Sequence, residues 1–360
     1  MPGSNPGIPS SSSRTFPQAI GPLRASCAPS NCAPHDEARP SRSPTRRTQP
    51  ILIRTYCAFI LLGVFWGSNF IYMKWAGAFI SPVQISLLRV LFGFAPLAAL
   101  AWHQRAIRVG QIRYLHHFAV MAALAAAFPY FAMAQGTTLL PSGIAGVLGG
   151  SSTLFTSLAS GLFLRGEKMN RPTQYGVALG MAGIVLIARP WAGMGNSGAI
   201  SLPGIAWMMS GSALFGFSYI YARRFLSPTG LAPLAIVTWQ MGVALLMLAA
   251  LTDVHGIGRI FEDSRATTGI VIGLGLFGTG SAFILYYYLL QKLGAVAAAG
   301  AVYITPVVAL LIGWSSGEAI GLTEILAAVL ILGSIAMLEA GRQTRARQQS
   351  RFIQGAAPAE

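Results

Sequence analysis

Val64-Phe65-Trp66-Gly67-Ser68-Asn69-Phe70-Ile71-Tyr72-Met73-Lys74 recurs in altered form as Leu214-Phe215-Gly216-Phe217-Ser218-Tyr219-Ile220-Tyr221-Ala222-Arg223. Laid over one another, the two stretches pair Gly67 with Gly216, Asn69 with Ser218 and Lys74 with Arg223. The match extends outward. Pro82 pairs with Pro233, Arg89 with Gln240, and Gly166-Glu167 with Gly317-Glu318. Each pair is separated by about 150 residues, which marks an internal duplication rather than a chance likeness of short motifs.

Both copies lie in strongly apolar surroundings. Hydrophobic residues make up 54% of the 360 and charged residues 10%, against about a quarter charged in soluble domains. From Ile51 onward, apolar stretches of membrane-spanning length recur at 52–73, 82–102, 115–134, 138–162, 172–190, 203–222, 232–252, 268–290, 294–316 and 321–340. They lack the alternation of barrel strands, so each is read as a helix that satisfies its own backbone. Ten spans divided between two copies leave five in each. An odd number forces the second copy to run through the bilayer in the opposite sense. The expected fold is therefore an all-α integral membrane protein with ten transmembrane helices arranged as two inverted five-helix repeats, residues 51–195 and 196–340. A Ser-, Pro- and Arg-rich tail over 1–50 reads as disordered, and 341–360 as a basic cytoplasmic tail.

The net charge of +15 bears on partners and on orientation. Of the 25 Lys and Arg, 20 fall on the side of the N-terminus, including Arg105, Arg108 and Arg113 between the second and third spans. Only Lys74, Arg189, Arg259 and Arg265 fall opposite, and Arg89 lies within the second span. This distribution places both termini in the cytoplasm and argues for a membrane lipid environment rather than nucleic acid. Cys27, Cys32 and Cys57 are an odd set, and Cys27 and Cys32 with His35 fall short of a four-ligand zinc site. Neither a metal nor a cofactor is expected. Gly273-Leu274-Gly275-Leu276-Phe277-Gly278 matches a dinucleotide pattern only formally, since no strand or βαβ unit surrounds it. No HExxH, GxSxG or Walker lysine motif supports an enzyme.

Trp66-Gly67-Ser68-Asn69-Phe70 with Lys74, the Pro82 to Arg89 stretch, and Gly278-Thr279-Gly280 through Tyr286-Tyr287, Leu293-Gly294-Ala295 and Thr305-Pro306 to Gly317-Glu318 resemble the EamA family of the drug/metabolite transporter superfamily. The resemblance implies ten helices, an inner-membrane location and movement of small metabolites such as amino acids. This chain departs from the pattern in its fourth span, where Ser152-Thr153 stands in place of an early proline kept in the ninth as Pro306. A fourth helix less kinked than the ninth is expected.

Among candidate binding residues, Arg89 is the one cation well inside a span, where charge costs about 2.5–3.5 kcal/mol on insertion scales. Such a cost suits an anchor for a substrate carboxylate, though backbone pairing or snorkelling explains it equally. Gln240 is its counterpart in the second repeat. Ser68, Asn69 and Ser218 are candidates to hydrogen-bond a polar substrate, with helix-to-helix bonding as the alternative. Trp66, Tyr72, Tyr219, Tyr221, Trp239 and Tyr303 are candidates to wall a pocket, or else serve packing and interfacial belts. Glu167 and Glu318 read as gate or interface residues, and the Gly146–Gly150 and Gly176–Gly180 spacings as helix packing.

The expected function is a secondary transporter of a small-molecule substrate by alternating access, with export as the favoured direction and a homodimer compatible with the plan. A lipid or drug translocator and a non-transporting scaffold are the alternatives.

Overall fold

The computed structural model describes residues 49–163, 170–189, 201–319 and 321–355, and every regular element among them is helical. The expectations for residues 1–48 and for Gly166-Glu167 lie outside the described residues.

The first repeat opens with α1 (Gln49–Ala76) and α2 (Pro82–His103). Ser81 starts α2 with a reciprocal capping box, since Gln84 N donates to Ser81 Oγ and Ser81 N donates to Gln84 Oε1 at 3.0 Å. Pro82 occupies the first turn, where no backbone donor is needed. A 3₁₀ turn (Val109–Tyr114) leads into α3 (Leu115–Ala122), a π-helical turn (Ala123–Ala127) and α4 (Phe128–Leu139). Pro129 is tolerated inside this long segment because the π turn before it has already rearranged the hydrogen-bond ladder. Next come α5 (Ser142–Gly149), α6 (Ser152–Phe163) and α7 (Arg171–Ala188), the last capped by Asn170.

The second repeat follows the same order. It comprises α8 (Leu202–Tyr221), α9 (Pro233–Leu251) and α10 (Ser264–Thr268), which runs through a π-helical stretch (Gly269–Ser281) into α11 (Ala282–Ala299). A 3₁₀ turn (Gly300–Tyr303), α12 (Ile304–Ser315) and α13 (Leu322–Gly355) complete it. π-Helical geometry thus interrupts the third segment of both repeats.

Six helices among the described residues are long and apolar enough to cross a membrane: Arg54–Ala76, Pro82–His103, Val109–Leu139, Pro233–Leu251, Ser264–Leu293 and Leu322–Thr344. Length and composition therefore support six crossings, not the ten expected. The segment expected at 138–162 is broken at Gly149-Gly150-Ser151 into α5 and α6, and that at 294–316 is broken by the 3₁₀ turn before α12. α7 and α8 are continuous but diluted by Gly, Ser, Thr and Tyr. The fourth segment, expected to be less kinked than the ninth, is itself interrupted. Adjacent glycines, with their large backbone entropy, interrupt it without a proline. α13 continues past residue 340 to Gly355, in a sequence rich in Arg, Gln and Ala, which favour helix.

Packing between the repeats is reciprocal. α1 packs on α12 as α8 packs on α6, and α2 packs on the Gly269–Ser281 stretch as α9 packs on α3 and the Ala123–Ala127 turn. α2 with α9 and α7 with α13 pair with their own counterparts, and α5 packs on α12. Gly67 and Gly216 make this closeness affordable: a Cβ at Gly67 would strike Val308 and the Thr305 carbonyl, and one at Gly216 the backbone of Phe155 and Thr156. Along α7, a Cβ at Gly176 would crowd Leu338, one at Gly180 would strike Leu154 and Ser334, and one at Gly183 would strike Ile331. Without a hydrophobic driving force between helices in lipid, such close backbone approach supplies the contact energy. Gly180→Leu is expected to cost about 1–3 kcal/mol through overpacking, read as a lower thermal midpoint in detergent. Gly110→Ala, with nothing within 4 Å, should leave the midpoint unchanged.

Candidate functional site

Arg89 lies seven residues into α2, about 10 Å along the helix axis, and is 6% exposed. Its Nε donates to Thr279 Oγ1 at 3.0 Å, and its guanidinium carbon stands 3.9 Å from the centre of the Tyr130 ring. Thr279 is itself fixed by donating to Leu274 O at 2.9 Å, a bond between residues five apart that suits the π-helical register. Asn69 on α1 completes the shell. With its amide oxygen turned toward Arg89, it accepts from Nη2 at 3.3 Å while its nitrogen donates to Phe65 O at 3.1 Å. That orientation satisfies both ends of the amide; the reverse leaves its nitrogen donating to Gly278 O at 3.3 Å.

Small residues bring this shell together. A Cβ at Gly278 would overlap the Asn69 amide, one at Gly280 would strike Pro96, and one at Gly93 would strike Thr279. The glycine-rich stretch that resembles a dinucleotide motif is thus a seam between α1, α2 and the π-helical segment. Among the described residues no carboxylate pairs with Arg89. The guanidinium is held by a hydroxyl, an amide and an aromatic face, all neutral, and among the described residues no anion compensates its charge. A cation held deep between helices by neutral groups has the charge to attract an anion.

Of the residues singled out from sequence, the structure joins Asn69 to Arg89. Tyr72, one turn beyond Asn69, packs on Gly269 and Gly273 of the same π-helical stretch. Gln240 is buried on α9, the helix against α2. The hydroxyls of Ser68 and Ser218 turn back onto their own helices, donating to Phe65 O at 3.1 Å and Phe215 O at 2.8 Å. Their matching geometry in the two repeats is a packing feature. The remaining aromatics disperse. Trp66 meets Tyr286 with ring centres 5.9 Å apart, Tyr219 is 48% exposed, and Tyr221 bonds His117 at 2.7 Å. Trp239 donates to Gln111 at 2.8 Å, and Tyr303 donates to Glu339 across the break before α12.

Tyr130 and Thr279 were missed as site residues. Thr279 lay within the quoted Gly278-Thr279-Gly280 motif, whereas nothing in the local sequence distinguishes Tyr130 from a packing aromatic. Thr305 is a further polar residue at the seam, its hydroxyl buried without a hydrogen-bond partner beside the Gly67 contact.

A second polar constellation stands at the turn between α4 and α5. Lys74 Nζ donates to Thr138 O at 3.2 Å and Leu140 O at 2.8 Å. Glu318, just beyond α12, accepts from Ser142 N at 2.6 Å and Gly143 N at 2.9 Å. A cation on the closing carbonyls of one helix and a carboxylate on the opening amides of the next each match the local dipole. Together they bind α1, α4, α5 and the end of α12 at a single turn.

Comparison with known proteins agrees with this architecture. The chain is 28% identical over 305 residues to the uncharacterized inner membrane transporter YedA of Escherichia coli K12, covering 81% of this chain and 92% of that protein. It is 24% identical to the uncharacterized transporter YoaV of Bacillus subtilis, covering 79% and 97% of the two chains. A solved crystal structure aligns with a TM-score of 0.52 at 19% identity over 82% of this chain and 99% of the other, which supports the fold alone. The EamA-like transporter family matches twice, over residues 53–189 and 202–339, once on each repeat. With that double match on two reciprocally packed halves, the chain belongs to the EamA-like transporter family.

Proposed function

We propose that this protein is a secondary transporter, working by alternating access in a bacterial inner membrane, that exports small metabolites bearing a carboxylate, such as amino acids or their derivatives. The observation that carries this reading is the buried Arg89 guanidinium between the repeats, whose partners among the described residues are all neutral. A charge held at such cost invites a mobile counter-ion. In this reading α7, α8 and the two broken segments complete ten crossings, five in each repeat, so the repeats are inverted and both termini are cytoplasmic. Reciprocal packing supports the plan, because two near-equivalent arrangements of the halves can exchange which face is open. Arg89 itself is buried in this conformation, at 6% exposure.

Purified protein reconstituted in liposomes tests this directly against a panel of radiolabelled amino acids and other metabolites, loaded inside or added outside. Movement of carboxylated solutes is expected, and the side on which label accumulates reports direction. Failure to move any member in either direction would refute the proposal. Competition by hydrophobic cations with indifference to carboxylates would identify a drug or lipid translocator instead.

A further inference from the structure

We propose that the cleft between the α2–α3 connection and the α8–α9 connection binds the phosphate headgroup of an anionic membrane phospholipid. The cleft has a volume of about 640 Å³ and is lined on one side by Gln104, Arg105, Arg108, Arg113 and Tyr114, and on the other by residues 230–232, Leu234 and Tyr287. Three arginines line one space whose described lining contains no Asp or Glu, and the Arg113 guanidinium stands 4.7 Å from the centre of the Tyr114 ring. Arginine forks match phosphate oxygens, and basic pockets at the ends of membrane helices suit anionic headgroups.

The connection is built rather than slack. Gln111 is buried at 7% exposure beneath the cleft. Its Oε1 accepts from Arg108 N at 3.2 Å and Trp239 Nε1 at 2.8 Å, and its Nε2 donates to Ala106 O at 2.9 Å. Arg105 supplies an independent sign. It has φ +51 at the C-terminal end of α2, a conformation usually given to glycine there. The other non-glycine residue with positive φ among the described residues, Arg189, caps the end of α7 and forms an ion pair with Glu324. Arg105 has no such pair among the described residues, so an arginine in a glycine position points to use of its guanidinium by something outside the chain.

The surroundings select a lipid as the source of the phosphate. Trp102, Val109 and Ile112 beside the cleft are 81%, 87% and 57% exposed. Bulky apolar side chains alternating with arginines suit the boundary between headgroups and acyl chains, where a soluble anion would gain nothing from them. The inference rests on the protein being in a membrane and is independent of what it transports.

Native mass spectrometry and thermal unfolding of the detergent-purified full chain, titrated with phosphatidylglycerol or phosphatidylcholine, test this. Wild type should retain phosphatidylglycerol selectively and unfold at higher temperature with it. Arg105→Gly is the informative single change, because glycine suits that backbone and the fold is kept while the guanidinium is lost. It should weaken phosphatidylglycerol binding about fivefold, with a similar further factor for each of Arg108→Ala and Arg113→Ala. Arg224→Ala, a cation outside the lining, should leave binding unchanged. Undiminished retention by the triple variant would overturn the proposal, as would an equal loss in Arg224→Ala. Displacement of the lipid by equimolar glycerol 3-phosphate would overturn the lipid assignment.

Discussion

Arg89→Met is expected to leave the protein about as stable as wild type while lowering flux of carboxylated solutes about a hundredfold. The stability half follows because the cost and the returns lie within a few kcal/mol of each other. Holding the guanidinium inside the membrane costs about 2.5–3.5 kcal/mol. The Tyr130 face returns about 2 kcal/mol when desolvated, and each hydrogen bond that Arg89 donates, to Thr279 and to Asn69, about 1.5 kcal/mol or more. An apolar side chain of similar length gives up both sides of that balance, as replaced buried charges often do. The transport half follows because a carboxylate in the site would then be buried unpaired, at about 3 kcal/mol or more. Arg89→Lys should fall between wild type and Arg89→Ala, keeping the charge but losing the planar fork that stacks on Tyr130 and reaches Thr279. Initial rates in liposomes and thermal midpoints in the same detergent measure both halves. Near-wild-type transport by both Arg89→Ala and Arg89→Lys would reassign Arg89 to structure.

Glu318→Ala is expected to cost about 2–4 kcal/mol, since it strips two charge-assisted hydrogen bonds from the opening amides of α5. No neighbour stands ready to replace the carboxylate. The Ser142 hydroxyl is already buried without a partner. Glu318→Gln should lose about half as much, because one amide oxygen can still accept. The turn should also loosen locally: Ser142, 1% exposed in the intact protein, should become reactive to maleimide as Ser142→Cys in the Glu318→Ala background and stay protected with Glu318 present. Equal protection in both backgrounds would show that the clasp at the α4–α5 turn does not depend on this carboxylate. Lys74 acts on the same turn from the other side through the carbonyls of Thr138 and Leu140. Changes at Lys74 and Glu318 should therefore be non-additive.

Much of the architecture was legible without coordinates. The pairing of Gly67 with Gly216 came from sequence, and the structure gives both glycines the same work against the broken helix of the opposite repeat. Arg89 was conspicuous because any intramembrane cation is costly, whatever surrounds it. Helix boundaries at Pro82 and Pro233 were readable because proline at a first turn is a local signal. The aromatic residues singled out as a pocket wall do not come together. Trp66, Trp239 and Tyr303 are drawn to separate partners in Tyr286, Gln111 and Glu339.

By itself, then, the sequence determined what each short stretch can do alone: a duplicated apolar chain, a membrane environment, helical segments with their starts, and one cation that has to be accounted for. Only the tertiary structure decided that Thr279, 190 residues from Arg89, and the Tyr130 face close around it, that Glu318 captures a helix start 176 residues away, and that α5 and α6 part at a pair of glycines. The physical reason is that a helix in lipid is apolar both where it meets lipid and where it meets its neighbours. No stripe in the sequence marks the inward face, and packing of small residues and a few hydrogen bonds choose the partners.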